Sequence, residues 1–320
     1  MEARVAIVGL GLIGGSLALA LRRAWPGVSL LGVDSDPRTR ELLAASGAVE
    51  RVCDLEDADL ATASLVVLAV PAAALLELIE PVAKRLAQGA VLTDVCGAKE
   101  EIVRRARQVA AAGKLAGQSG NGPIFVGGHP MAGTEFRGFQ AASAGLFQGA
   151  VVALCPPVAA GDEAAAIAAL ERVRSLWTAA GAARIKIVDP EAHDRAVTFA
   201  SHLPYLAAAS VVDALLSAGA STELSRELAA GGFRDTTRVA GDWTLSGAAA
   251  LNRFLPAAAR ELADRLAALA DELRADPGRA VERLRALADH RRTMALPPRP
   301  GPEAKPGESS ATDAPTRTLR

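Results

Sequence analysis

The strand-like run Val5-Ala6-Ile7-Val8 leads straight into Gly9-Leu10-Gly11-Leu12-Ile13-Gly14-Gly15-Ser16 and then into the apolar stretch Leu17 to Leu21. A strand, a glycine-rich turn and a helix in immediate succession are the makings of a dinucleotide-binding unit. Gly9 permits the tight turn, Gly11 lets a pyrophosphate approach the backbone, and Gly14 allows the helix to pack closely on the strand. The phosphates would rest on the first amides of that helix, which Leu12 and Ile13 open. Asp34 ends the next strand, twenty residues beyond Gly14, where a carboxylate accepts hydrogen bonds from both ribose hydroxyls and repels a 2'-phosphate. NAD is therefore expected over NADP, with Arg38 the nearby residue that could meet a phosphate instead. Val70 and Pro71, closing the strand that starts at Leu65, are assigned to the same site.

The pattern continues. Strands are expected at Val5 to Val8, Ser29 to Asp34, Leu65 to Val70, Ala90 to Val95, Ile124 to Gly128, Val151 to Cys155 and Arg184 to Val188. Helical periods fall between them at Ser16 to Ala24, Glu100 to Ala110 and Glu163 to Ala180, and that alternation predicts a parallel, helix-covered sheet. After Asp189-Pro190 the strand pattern stops. The fold class is thus α/β, a Rossmann-type dinucleotide-binding domain over 1–189 followed by an all-helical domain over 190–294. The stretch 295–320 reads as a disordered tail, since six of the eighteen prolines lie between Pro297 and the last residue. The loop Gly113 to Pro123 is expected to be an ordinary tolerated one.

Charge excludes several partners. With 35 basic and 36 acidic side chains mixed along 320 residues, nothing attracts a polyanion, and seven Phe, three Trp and one Tyr offer few stacking platforms. No nucleic-acid partner is expected. Cys53, Cys96 and Cys155 are odd in number and widely spaced, which suits reduced cytoplasmic thiols rather than a disulfide framework or zinc site. No secretory leader pattern is visible. The apolar stretches 61–79 and 203–220 are interrupted, the second by Pro204, Ser210 and Asp213, so no membrane span is expected.

Three clusters carry chemistry. Gly127-Gly128-His129-Pro130-Met131-Ala132-Gly133-Thr134-Glu135 places a histidine at a strand end, where it can face a nicotinamide or be merely structural. Asp189-Pro190-Glu191-Ala192-His193-Asp194 precedes Ser201-His202-Leu203-Pro204-Tyr205. On a continuous helix His193 and His202, nine residues apart, point in nearly opposed directions, so one of them is expected to be structural. In Phe233-Arg234-Asp235-Thr236-Thr237-Arg238 the two arginines share a helix face, suited either to a carboxylate-bearing substrate or to solvent. No spacing suggests a metal site.

Together with Thr93-Asp94-Val95-Cys96-Gly97-Ala98-Lys99, these runs resemble the prephenate/arogenate dehydrogenase family of tyrosine biosynthesis, from Val5 to about Leu287. The resemblance implies NAD-dependent oxidative decarboxylation of prephenate to 4-hydroxyphenylpyruvate, or of arogenate to tyrosine, by a homodimer joined through the helical domain. It makes His129 the catalytic base toward the ring hydroxyl and Arg238 the binder of a substrate carboxylate. Glu135, His202 and Asp235 match a polar network around the site mouth. A base and a carboxylate clamp together argue against a non-catalytic nucleotide sensor.

Three departures bear on the substrate. Many relatives have serine at Gly97, prephenate-specific ones often have histidine at Tyr205, and Trp243 precedes the position where some carry tryptophan, near Gly247. With only the short Pro-rich tail expected beyond the helical domain, any tyrosine feedback is expected to act at the active site or be absent. An acid limb at about pH 6 to 7 is expected if a neutral imidazole is the base.

Overall fold

The computed structural model describes residues 4–113, 122–158, 163–219, 222–242 and 244–297. Most of the Gly113 to Pro123 loop, Trp243 and the tail from 298 onward lie outside them.

Strands β1 (Arg4–Val8), β2 (Ser29–Val33), β3 (Arg51–Cys53), β4 (Leu65–Leu68), β5 (Val91–Asp94) and β6 (Ile124–Val126) form one parallel sheet in the order β3-β2-β1-β4-β5-β6. Helices α1 (Leu12–Ala24), α2 (Pro37–Ser46), α3 (Ala72–Ala83), α4 (Glu100–Ala111) and α5 (Glu163–Ala179) accompany it. Both faces are covered, so each strand is nearly continuously apolar. Val5 and Ile7 of β1 face Leu17, Leu21 and Trp177, while Ala6 and Val8 face Leu75, Ile79 and Ile102. The strand order reverses between β1 and β4, and a doubly wound sheet opens its ligand crevice at such a point. Gly9 leaves β1 there, and Val70-Pro71 leave β4.

The expected single sheet is incomplete as a description. Ile124 to Gly128 is not one strand: Gly127 separates β6 from β7 (Gly128–Pro130), which joins β8 (Val151–Leu154) antiparallel and, through it, β9 (Arg184–Ile187) parallel. Gly128 is closely packed at this point, where a Cβ would lie 2.6 Å from the Asp94 carbonyl oxygen. The sequence reading also passed over β3, α2 and α3. Asp36 caps α2 by accepting the Arg38 and Thr39 N–H groups, with Pro37 at the first turn.

No strand follows β9 among the described residues. Asp189 accepts the Glu191 and Ala192 N–H groups and Pro190 opens α6 (Pro190–Val197). A π-helical turn over Thr198–His202 leads into α7 (Leu203–Leu216), then α8 (Thr222–Glu227), α9 (Gly231–Thr237), α10 (Thr244–Leu251), α11 (Leu255–Ala275) and α12 (Pro277–Thr293).

Pro204 does not interrupt this run as expected. It lies in the first turn of α7, directly after the wider turn, where its missing N–H is accommodated. The continuous run Pro190–Leu216 is consequently long and apolar enough to cross a membrane by length and composition, and only 11% of its most apolar window is buried. Phe199, Val211 and Leu216 are exposed along it.

Candidate active site

At the nucleotide turn the backbone leaves no room for side chains. Gly9 has φ +90°, and a Cβ there would lie 2.5 Å from the Ala69 carbonyl oxygen and 2.8 Å from Val70 Cγ1. A Cβ on Gly14 would come within 1.9 Å of the Gly9 carbonyl oxygen, so helix and turn touch backbone to backbone. Gly11 is the opposite case, with nothing within 4 Å of a Cβ, so the surface it presents at the start of α1 is open. Asp34 is tied into the turn: Leu10 N–H donates to Oδ2 at 2.7 Å and Asp36 N–H to Oδ1 at 2.9 Å. Leu12 and Ile13 form the first helical residues, and Pro71 caps α3. These features fit a pyrophosphate over Gly11 and a ribose against Asp34.

The second half of the site is a network of polar side chains. Asp94 ends β5 and Lys99 precedes α4, and the two form a fully buried ion pair. Lys99 Nζ also donates to the Gly128 carbonyl oxygen at 2.8 Å, and Asp94 accepts Gly128 N–H at 3.0 Å and Cys96 N–H at 2.8 Å. The chain entering His129 is thereby held from both sides.

His129 Nδ1 lies 2.9 Å from His193 Nε2, and His193 Nδ1 lies 2.7 Å from Asp194 Oδ1. Asp194 also accepts the backbone N–H of Lys99 at 2.7 Å and of Glu100 at 2.9 Å. Burial opposes its charge, but the hydrogen bonds from His193, Lys99 and Glu100 outweigh that and hold the carboxyl below its ordinary range. An ionised carboxylate only accepts, so His193 Nδ1 carries the hydrogen. With that hydrogen on Nδ1, His193 can accept at Nε2 from His129 Nδ1–H, an arrangement that leaves His129 Nε2 as a free lone pair. Burial, then His193, Lys99 and His202, keep the His129 imidazole well below the ordinary histidine range. It is a neutral base with a fixed tautomer.

His193 and His202 do not point apart. Nine residues of regular α-helix would separate them by about 180°, but the intervening π turn absorbs one extra residue and cuts this to about 80°. Both are buried, and Asn252, at the end of α10, ties their segments together. Its amide nitrogen, with two hydrogens, lies 2.9 Å from His202 Nδ1 and 2.9 Å and 3.0 Å from the Asp194 carbonyl oxygen and Thr198 Oγ1, which share one of them. His202 is fully buried, so it belongs to the interior of the cleft rather than its mouth. Gly97 lies beside both rings: a Cβ there would be 3.6 Å from His129 Nε2 and 3.6 Å from His202 Nε2.

Arg238 and Glu135 meet at 3.3 Å, both substantially exposed. Arg238 follows α9 directly, with its own backbone still in the αR region, and begins a 3-10 turn. Among the described residues no hydrogen bond joins Tyr205 or Asp235 to the histidines. The roles of Asp94, Lys99, His193 and Asp194 were missed as individual residues although their motifs stood out. Asn252 had no local signal at all.

Residues 17–186 match the family model described as prephenate dehydrogenase, nucleotide-binding domain, and residues 189–245 match prephenate dehydrogenase, dimerization domain. Prephenate dehydrogenase of Bacillus subtilis is 32% identical over 241 residues, 75% of this chain and 61% of that protein. The chain thus spans about three fifths of the length of the first curated relatives it matches. Among solved structures, Aquifex aeolicus prephenate dehydrogenase in complex with hydroxyphenyl propionate and NAD+ matches with TM-score 0.76 and 26% identity, over 91% of this chain and 98% of that one. Synechocystis arogenate dehydrogenase matches with TM-score 0.67 and 30% identity, over 90% and 98%. Both family models and the shared architecture agree: the chain belongs to the prephenate dehydrogenase family.

Proposed function

We propose that the chain is an NAD-dependent prephenate dehydrogenase that converts prephenate to 4-hydroxyphenylpyruvate. The observation that carries this is the relay from Asp194 through His193 to His129, which ends in an unshared lone pair in the cleft. NAD bound at Gly9, Gly11, Gly14 and Asp34 would supply the hydride acceptor. Leu12, Ile13, Val70 and Pro71 would line its place at the reversal of strand order.

His129 Nε2 takes the proton of the ring hydroxyl while the C–H pair leaves the same carbon as hydride. The bond to the ring carboxylate breaks, its electron pair completes the aromatic ring, and carbon dioxide departs. The proton returns from His129 to the phenolic oxygen, so none is consumed. In between, the imidazolium charge is stabilised through His193 by the Asp194 carboxylate, much as a carboxylate stabilises a histidine base in hydrolases. Arg238 would hold a substrate carboxylate.

Arogenate is the second reading, and the Arg238–Glu135 pair favours it, because an adjacent guanidinium and carboxylate can meet the two charges of an amino-acid side chain. We further propose that 1–189 is the nucleotide domain and 190–294 the dimerising one. Exposed Phe199, Val211, Leu216, Leu224 and Leu228 give a second copy an apolar surface to cover. A cytoplasmic enzyme is consistent with three buried free cysteines. Reduced-nucleotide absorbance with prephenate and with arogenate, each against NAD and NADP, tests the assignment, and no turnover in any combination would overturn it.

A further inference from the structure

We infer that His202 donates its Nε2–H to the ring hydroxyl oxygen of the substrate, opposite the lone pair of His129. The inference rests on the proposed dehydrogenase reading and adds a residue that touches the reacting group.

Asn252 decides which nitrogen of His202 carries the hydrogen. Its Oδ1 accepts Phe254 N–H at 3.0 Å, which fixes the amide orientation, and its nitrogen therefore points at His202 Nδ1. That nitrogen must accept. Burial also holds the His202 ring below the ordinary histidine range, so the neutral ring has one N–H, at Nε2. This atom is buried and has no hydrogen-bond partner among the described residues. A buried donor without a partner is costly, by about 1–3 kcal/mol on general grounds, and calls for a ligand atom.

That atom would sit between the two rings beside Gly97, where a donor, His202 Nε2–H, and an acceptor, His129 Nε2, each lie 3.6 Å from the position of a Cβ on Gly97, with Ala248 Cβ 3.1 Å from it closing the other side. A hydroxyl is the group that both receives and gives a hydrogen bond at one oxygen. A carbonyl or an ammonium would satisfy one ring only. As His129 draws the hydroxyl proton, negative charge grows on the oxygen, and the His202 N–H is already aimed at it.

Calorimetric binding of 4-hydroxyphenylpropionate against 3-phenylpropionate tests this without turnover. The wild-type protein should prefer the hydroxylated ligand by about tenfold, as expected for one hydroxyl paired on both sides. His202→Leu, which leaves only the His129 lone pair to meet the hydroxyl, should cut the preference to about threefold or less, and His202→Gln, whose amide N–H can reach the same position, should keep it. In turnover, His202→Leu should lower kcat by roughly 10²- to 10³-fold, as when one donor to a developing oxyanion is lost. Equal loss in both variants, or an undiminished preference in His202→Leu, would overturn the inference. Should His202→Leu not fold, Gly97→Ala puts a methyl 3.6 Å from both ring nitrogens and 3.1 Å from Ala248 Cβ, crowding the position of the hydroxyl; an undiminished preference there also overturns it. If the wild type shows the preference yet oxidises neither prephenate nor arogenate, the dehydrogenase reading fails and the role of His202 in binding a hydroxyl stands.

Discussion

Two ion pairs, Asp94–Lys99 and Arg238–Glu135, stand in opposite surroundings. Asp94 and Lys99 are fully buried, share their hydrogen bonds with the backbone of Cys96 and Gly128, and set the path of the chain into His129. Arg238 and Glu135 are joined by one hydrogen bond at 3.3 Å with 44% and 35% of their side chains exposed. A buried pair keeps one geometry because breaking it strands a charge, whereas an exposed pair exchanges partners at little cost. The comparison separates two jobs. On the proposed reading, the groups that would remove the proton are held in place before substrate arrives, and those that would read the substrate's side chain are left free to re-pair.

The largest effect should come from the assembled half. His129→Asn is expected to lower kcat by roughly two to four orders of magnitude with nucleotide affinity nearly unchanged, the range for a lost general base. An unaltered rate would remove His129 from the chemistry. Lys99→Met leaves Asp94 buried without its partner and should cost about 3–5 kcal/mol of stability by denaturant titration. A loss below about 1 kcal/mol would place this pair in the same class as the exposed one.

Asp194→Asn should reduce kcat by roughly 10²- to 10³-fold, because an amide can donate to His193, reverse the relay and put a hydrogen on His129 Nε2. Stopped-flow kinetics with saturating nucleotide would show it. A change confined to KM would mean that the relay does not act on the base. Arg238→Ala should chiefly raise KM, by about tenfold, while changing stability by about 0 to 1 kcal/mol. A pure kcat defect would move Arg238 into the preassembled half.

The smallest effect is on pH. Neutral His129 is the working form, so activity is present above its pKa and lost as pH falls through it. Burial lowers that pKa, which places the acid limb of kcat/KM below the ordinary histidine value of about 6.5 rather than at pH 6 to 7. A limb at or above that value would contradict the buried, neutral base.

The nucleotide half was legible because its constraints are local. Gly9 and Gly14 are demanded by contacts within the turn or with the adjacent strand, and alternation of strands and helices is a periodic signal. The short strand β3 and the division at Gly127 were not legible, since a three-residue run carries no period. Arg238 was readable as a charge but not as the partner of Glu135, 103 residues away.

By itself the sequence determined the doubly wound half, the glycine turn with Asp34, and His129 as the residue to watch. The tertiary structure alone decided what His129 is made to do. Asp194 reaches the Lys99 N–H across 95 residues, Asn252 reaches His202 across 50, and the π turn brings His193 and His202 to one side. The physical reason is that a histidine's chemistry depends on which of its nitrogens holds the hydrogen. That choice is made by hydrogen-bond partners supplied from distant segments, and spacing along the chain carries no record of them.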